Sequence, residues 1–314
     1  MFLKNAIDKC IESNPVRRMI ARRKALDRFF ALEGLTAMLL VLAVLLILLG
    51  QLAFDGLGRL SWQFVTSFPS RFPDKAGILS AWIGTIVVML LTAFTAVPLG
   101  VGAAIYLEEY ARKNWMTEII EINIANLAGV PSIVYGLMAL GLLVYELHLG
   151  PSFLTAGLTL AMLILPMVII ATREAIRSVP PHIREASYAL GATKWQTVRD
   201  HVVPYSMGGM LTGMILALSR AVGETAPLIT IGALSFIAFL PHPPWQPDFP
   251  FVSFQWLVDP FTVMPIQMFN WVSRPQEEFH VNAAAAGLIL LLMTLAMNAL
   301  AIIVRARFRK RTHW

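Results

Sequence analysis

Long runs of uncharged, mostly apolar residues divide this chain and restrict what it can fold into more than any other feature. The first run, residues 34–54, contains no Asp, Glu, Lys or Arg. An α-helix needs about 20 such residues to cross the hydrocarbon core of a bilayer. Charged residues make up only 14% of the chain, against about 25% in soluble domains. We therefore predict an all-α, polytopic membrane protein.

Five later runs bring the predicted number of transmembrane helices to six. Prolines and glycines interrupt some of them, so we expect kinks near Pro98 and Pro166 and a break at Gly129 and Pro131. These five spans are predicted at residues 76–107, 122–145, 147–172, 202 into the 220s, and 281–304.

Two stretches between the fifth and sixth spans are expected at the outer side of the membrane. Residues 225–240 are uncharged and, added to the fifth run, exceed one span, so we predict a break between Gly223 and Pro227. The sequence leaves open whether the part after the break lies at the interface or re-enters the membrane. Residues 242–279 are rich in proline and aromatic residues and are predicted to be external and interfacial. Their tryptophans are Trp245, Trp256 and Trp271.

Lysine and arginine lie beside the apolar runs rather than in one patch. A net charge of +6 could suggest nucleic acid, but cations flanking membrane spans are explained by the positive-inside rule, so no nucleic-acid partner is expected. The rule places both ends in the cytoplasm, with a lead-in at residues 1–33, a membrane domain at 34–304 and a tail at 305–314. A single cysteine, Cys10, excludes a disulfide framework.

No motif for catalysis or for cofactor binding occurs in the sequence. The P-loop pattern Gly-x-x-x-x-Gly-Lys-Ser/Thr is missing, the six histidines lack the spacing of a metal site, and there is no Gly-x-Ser-x-Gly elbow. We expect neither enzyme activity nor a metal or cofactor in this chain. Energy for transport would then come from a partner.

A polar segment at about residues 173–203 separates the fourth span from the fifth. Pro180 and Pro181 suit the first turn of a short helix, and Gly191 suits its C-terminal end. A second helix is predicted from Thr193, with Gln196 completing a capping box. Pro204 is expected to mark the turn of the chain into the membrane.

The spacing within this segment resembles the EAA loop of ABC-importer permeases. The matching positions are Glu185, Ala186 and Ser187, then Gly191, then Pro204, with Ser187 in place of the second alanine of the triplet. The resemblance implies a six-helix permease whose loop docks onto a separate ATPase subunit.

Further residues resemble the permeases of phosphate importers in particular, among them Leu-Ser-Arg-Ala-Val-Gly-Glu-Thr at 218–225. That resemblance implies a bacterial cytoplasmic-membrane complex with a homologous second permease, two ATPases that bind ATP and Mg²⁺, and an external phosphate-binding protein. Two alternatives stay open: another oxyanion such as sulfate or molybdate as cargo, and an ion-coupled secondary transporter, for which the polar loop would have no role.

Arg220 and Glu224 are the candidate residues of the substrate pathway. Counted from Pro204 along a helix rising 1.5 Å per residue, both lie in the outer half of the bilayer. Charges there are costly and face a cavity or each other, and a spacing of four residues allows them to pair. One interpretation is a structural ion pair; the other is an anion site, which the resemblance favours.

A stripe of small residues runs beside this pair at intervals of four. Small residues let helix backbones approach closely, either within one subunit or between subunits. The stripe consists of Gly209, Gly213, Ala217, Ala221 and Thr225.

Overall fold

Helices form nearly all of the regular structure in the computed structural model, which describes residues 15–245 and 253–311. The longest are α1 (Pro15–Leu57), α3 (Leu79–Ile105), α6 (Phe153–Arg177), α9 (Val203–Val222) and α12 (Glu277–Arg311). The shorter ones are α2 (Trp62–Thr66), α4 (Trp115–Ala128), α5 (Ser132–Ala139), α7 (Pro181–Ala189), α8 (Lys194–Thr197), α10 (Ala226–Thr230) and α11 (Met264–Val272).

Three π turns extend this helical structure. They comprise Tyr106–Tyr110 after α3, Leu140–Glu146 after α5, and Val198–Val202 between α8 and α9. Within the described ranges no β-strand occurs, so the prediction of an all-α fold is confirmed.

Five helices are long and apolar enough to cross a membrane, and a bent pair raises the number to six if it counts as one span. The pair consists of Trp115–Ala128 and Ser132–Glu146, and the chain bends by 104° between them. The bend falls at Gly129 and Pro131, as predicted, because Pro131 lacks an amide hydrogen and disfavours helical geometry in the residue before it. Pro98 and Pro166, by contrast, lie inside helices that continue past them.

The chain divides into two compact units, Met1–Phe54 and Asp55–Trp314. In the first unit, α1 begins at Pro15 and is therefore already helical within the predicted lead-in. Most of its described apolar side chains are exposed. Residues 1–14 of the predicted lead-in and 312–314 of the predicted tail lie outside the described residues.

The core of the second unit forms around α3 and α6, which pack along their lengths. Small residues permit this approach: Gly100 faces Val168, and Gly157 faces Leu91. Thr92 donates a hydrogen bond to the Gly157 carbonyl at 3.3 Å. The two helices thus form the centre of this unit, and α4 and α9 pack against α6.

Helix α9 packs against α6 through the stripe of small residues. Gly209 faces Ala175 and Gly213 faces Ala171, with no room for a β-carbon at either glycine. Ala217 is fully buried as well. The glycines of the stripe therefore serve contacts within this chain.

The chain breaks after α9 as predicted. Gly223 ends the helix, and α10 then turns back to pack against α5. Gly136 of α5 touches Pro227 and Thr230 so closely that a β-carbon would collide with both. Residues 225–240 are therefore not a straight continuation of the span.

One prediction for the external segment is wrong. Trp271 was expected at the membrane interface, but it is fully buried, with its ring centroid 6.0 Å from that of Phe64 and 6.5 Å from that of Phe279. It belongs to α11, which packs against α12 and α3. Of its two aromatic partners, Phe64 comes from a distant part of the sequence and Phe279 from the following helix, whereas Trp245 is exposed.

Candidate functional site

Arg220 and Glu224 form an ion pair at the end of α9. The Arg220 Nε lies 3.3 Å from the Glu224 Oε1. Arg220 occupies the last turn of the helix, while Glu224 follows Gly223, the residue at which the helix ends. The carboxylate therefore projects from the turn, and the guanidinium from the regular helix.

Not all N–H donors of the Arg220 guanidinium have a hydrogen-bond partner within the described residues. Its Nη1 lies 3.4 Å from the Sδ of Met167, and a thioether is only a weak acceptor. Across residues 15–245 and 253–311, Nη2 has no hydrogen-bond partner. The Arg220 side chain is 45% exposed and that of Glu224 18%, so the unused donors face open space.

A polar contact that the sequence analysis missed holds α9 beside this pair. The Ser219 hydroxyl lies within hydrogen-bonding distance of two acceptors, the side-chain oxygen of Asn298 on α12 and the Ile215 carbonyl, which share its one hydrogen. A lone amide in an apolar span usually finds a partner on another helix. Asn298 could have been noticed on that ground, because it lies within the predicted sixth span.

The polar segment folds as two short helices, as predicted. Helix α7 starts after Pro180 and ends before Gly191, whose φ of +83° is in the left-handed region that favours glycine. The Gly191 amide donates to the Tyr188 carbonyl. Thr193 and Gln196 form the predicted capping box at the start of α8.

The triplet on α7 is divided between two surfaces. Glu185 and Ala186 are exposed, whereas Ser187 is buried. The Ser187 hydroxyl lies 2.9 Å from the Thr197 hydroxyl of α8. A serine at this position of the triplet thus joins the two short helices of the segment.

The prediction that the chain turns at Pro204 is wrong. The π turn Val198–Val202 leads straight into α9, so the helical structure is continuous from Lys194 to Val222 and does not turn at Pro204. Within that turn the Val203 amide donates to the Val198 carbonyl, five residues back. Pro204 lies in the first turn of α9, where a missing amide hydrogen is tolerated.

A group of ion pairs that the sequence did not predict lies near the polar segment. Arg173 of α6 pairs with Glu108 at 3.3 Å and with Glu121 of α4 at 2.6 Å. Arg177 reaches Glu108 at 2.9 Å. These pairs join α3, α4 and α6 at the ends of the helices that the positive-inside rule assigns to the cytoplasm.

Comparison with known proteins agrees with the resemblance seen in the sequence. Residues 96–314 match the family described as binding-protein-dependent transport system inner membrane component. The chain is 32% identical over 299 residues to the phosphate transport system permease protein PstA of Yersinia pestis, covering 95% of each chain. It is 32% identical over 210 residues to the phosphate transport system permease protein PstC of Haemophilus influenzae, covering 56% of this chain and 66% of the other.

A solved structure shares the fold. It is a bacterial ABC transporter involved in the import of the acidic polysaccharide alginate, 15% identical, with a TM-score of 0.61 over 94% of this chain and 99% of the other. The predicted ABC-importer permease fold is therefore confirmed. This chain belongs to the family of binding-protein-dependent transport system inner membrane components.

Proposed function

We propose that this chain is the permease subunit of an ATP-driven importer of inorganic phosphate in the bacterial cytoplasmic membrane. The observation that carries the proposal is the Arg220–Glu224 pair, in which a half-exposed guanidinium gives one donor to a carboxylate and keeps others unused. The similarity to PstA and PstC supports phosphate as the cargo.

The chemistry of the pair suits an anion that must bind and then leave. Arginine stays charged at any physiological pH, and its planar fork can donate two parallel hydrogen bonds to a tetrahedral oxyanion. The Glu224 carboxylate neutralises the guanidinium when no anion is bound. Once an anion arrives, the same carboxylate repels it, which limits how tightly the anion is held.

The polar segment is the proposed contact with the motor. Two copies of a separate ATPase would bind ATP and Mg²⁺ and dock against α7, where Glu185 and Ala186 are exposed. Gly191 would set the turn that follows, and Ser187 would carry the movement to α8 through its contact with Thr197.

The remaining partners follow from the same proposal. A homologous second permease would complete the pathway, and an external phosphate-binding protein would deliver the anion. Both ends of this chain would lie in the cytoplasm, because its basic segments flank the spans on that side. Membrane lipid would cover the apolar outer surface.

Reconstitution of the complete complex in proteoliposomes tests the proposal. With ATP and the loaded binding protein, uptake of radiolabelled phosphate is expected to survive an excess of sulfate or molybdate and to fail for Arg220→Ala, although the Arg220→Ala complex still assembles. Normal uptake by that variant, or uptake driven by an ion gradient without ATP, would contradict the proposal. Preferential uptake of sulfate or molybdate would assign a different cargo.

A further inference from the structure

Arg184 of α7 connects the polar segment to two membrane-spanning helices at once. Its Nη2 and Nε donate to the Oε1 of Glu109, at 2.7 and 3.0 Å. Its Nη1 and Nη2 also donate to the carbonyls of Val179 and Ile176, at 2.8 and 3.1 Å. Glu109 lies in the π turn that follows α3; Ile176 lies in the last turn of α6, and Val179 lies in the short connection from α6 to α7.

The contact between Arg184 and Glu109 is shielded from water. The Glu109 side chain is 7% exposed and that of Arg184 20%. Ion pairs in such surroundings are screened far less than pairs on an open surface. The arginine also gives a second donor to the Ile176 carbonyl, which already accepts from the Val179 amide, and it donates to the Val179 carbonyl just after α6.

This pair is separate from the neighbouring group of ion pairs. Arg173 and Arg177 pair with Glu108 and Glu121 and join α3, α4 and α6, but none of these four residues belongs to α7. In the part of the chain that the structure describes, Arg184–Glu109 is the one ion pair that joins α7 to another helix.

The covalent connections of α7 lead elsewhere. Through Ser178–Pro180 the chain runs back to α6, and through α8 it runs on to α9. Neither route leads to α3, the helix that packs along α6 and forms much of the core with it. The side-chain contact therefore supplies a direct connection from α7 to α3.

We propose that Arg184 and Glu109 are positioning residues that make α7 and the end of α3 move as one body, so that a displacement of α7 by the motor shifts α3 within the membrane. The inference rests on the proposed function for the motor and for the role of α7. It adds a specific route by which force from the polar segment enters the helices around the pathway.

A charge exchange tests this route in the reconstituted complex. Glu109→Arg and Arg184→Glu are each expected to lower the phosphate transported per ATP hydrolysed at least about fivefold, the lower end of typical coupling between sites. The double exchange is expected to restore part of the ratio. Restoration would be incomplete, because a glutamate at position 184 cannot donate to the Ile176 and Val179 carbonyls.

The matched control is Glu174→Gln, compared with Glu109→Gln. Glu174 is 64% exposed, and its ion pair is with Arg177 on the same helix, so no contact between helices is lost. The control is expected to keep the wild-type ratio, whereas Glu109→Gln lowers it. Single charge reversals that keep the ratio, or a double exchange no better than either single one, would overturn the proposal.

A distance measurement separates this proposal from the choice of cargo, since it needs no substrate. Spin labels are placed at Tyr106→Cys and His182→Cys, both exposed positions, in a Cys10→Ser background. With the pair intact, ATP binding to a hydrolysis-deficient motor is expected to leave the distance between the labels unchanged. With Arg184→Gln the distance should change or its distribution broaden. An equal change in both complexes would overturn the inference, even if phosphate were confirmed as cargo.

Discussion

The Arg220 guanidinium lies 3.3 Å from the Glu224 carboxylate, and the donor is the more exposed partner, at 45% against 18%. Here the positive member remains accessible while its partner is largely enclosed. A solute that enters the space beside α9 can therefore meet the arginine.

The parallel N–H donors of the Arg220 guanidinium should contribute to phosphate uptake in addition to its positive charge. Arg220→Lys keeps the positive charge but loses the parallel donors, and one charge-assisted hydrogen bond is worth about 1.5–3 kcal/mol. We expect uptake in proteoliposomes to fall about 10–100-fold, with assembly unchanged. Arg71→Lys is the control, because Arg71 is exposed and outside the spans. Equal uptake by the two variants would rule out a special role for the fork.

The turn at Gly191 should be sensitive to a single methyl group. With φ at +83°, an alanine there costs about 1–2 kcal/mol, and we expect Gly191→Ala to displace the end of α7 and lower the ATPase activity stimulated by the loaded binding protein. Gly208→Ala is the control, since open space surrounds that helical glycine. Unaltered stimulation in Gly191→Ala would show that the motor tolerates a displaced turn.

The contact between α5 and α10 should depend on Gly136. A β-carbon at this position would meet Pro227 and Thr230, and overpacking of this kind costs about 1–3 kcal/mol. We expect Gly136→Ala to lower the unfolding temperature of the purified complex. Gly141→Ala has free space around it and should leave that temperature unchanged. Equal unfolding temperatures for the two variants would show that α10 does not pack closely against α5.

Ser187 should tolerate loss of its hydroxyl better than an increase in size. In Ser187→Ala the Thr197 hydroxyl still donates to the Thr193 carbonyl at 3.1 Å, so the free energy of unfolding should fall by only about 1 kcal/mol. Ser187→Leu should disrupt the packing of α7 on α8 and abolish ATPase stimulation. Thermal unfolding and stimulated ATPase activity measure both effects; full activity of the leucine variant would contradict the close packing.

Local chemistry explains what the sequence could predict. The end of α7 at Gly191 and the start of α8 at Thr193 depend on residues within a few positions of each other, and the structure confirms both. The break after α9 also follows from neighbouring residues, Gly223 and Pro227. The pairing of Arg220 with Glu224 is of the same kind, since four residues separate them along the chain.

Contacts between distant residues could not be predicted in this way. Glu109 and Arg184 are 75 positions apart, and nothing in either local sequence selects the other as a partner. Tryptophan is a residue type that is common at membrane interfaces, yet Trp271 is buried, in part against Phe64, which is distant in the sequence. At Pro204 a local rule gave the wrong answer, because the preceding π turn lets the helix continue.

The opposite charges at the end of α9 also have an electrical consequence. Together Arg220 and Glu224 carry no net charge, so moving them relative to the membrane normal involves almost no work against the transmembrane potential, which otherwise amounts to about 2.3 kcal/mol per charge per 100 mV. Any voltage dependence of import would then come from the transported anion and not from this pair of residues. Movement of this pair in the permease without a bound anion would then depend little on the transmembrane potential.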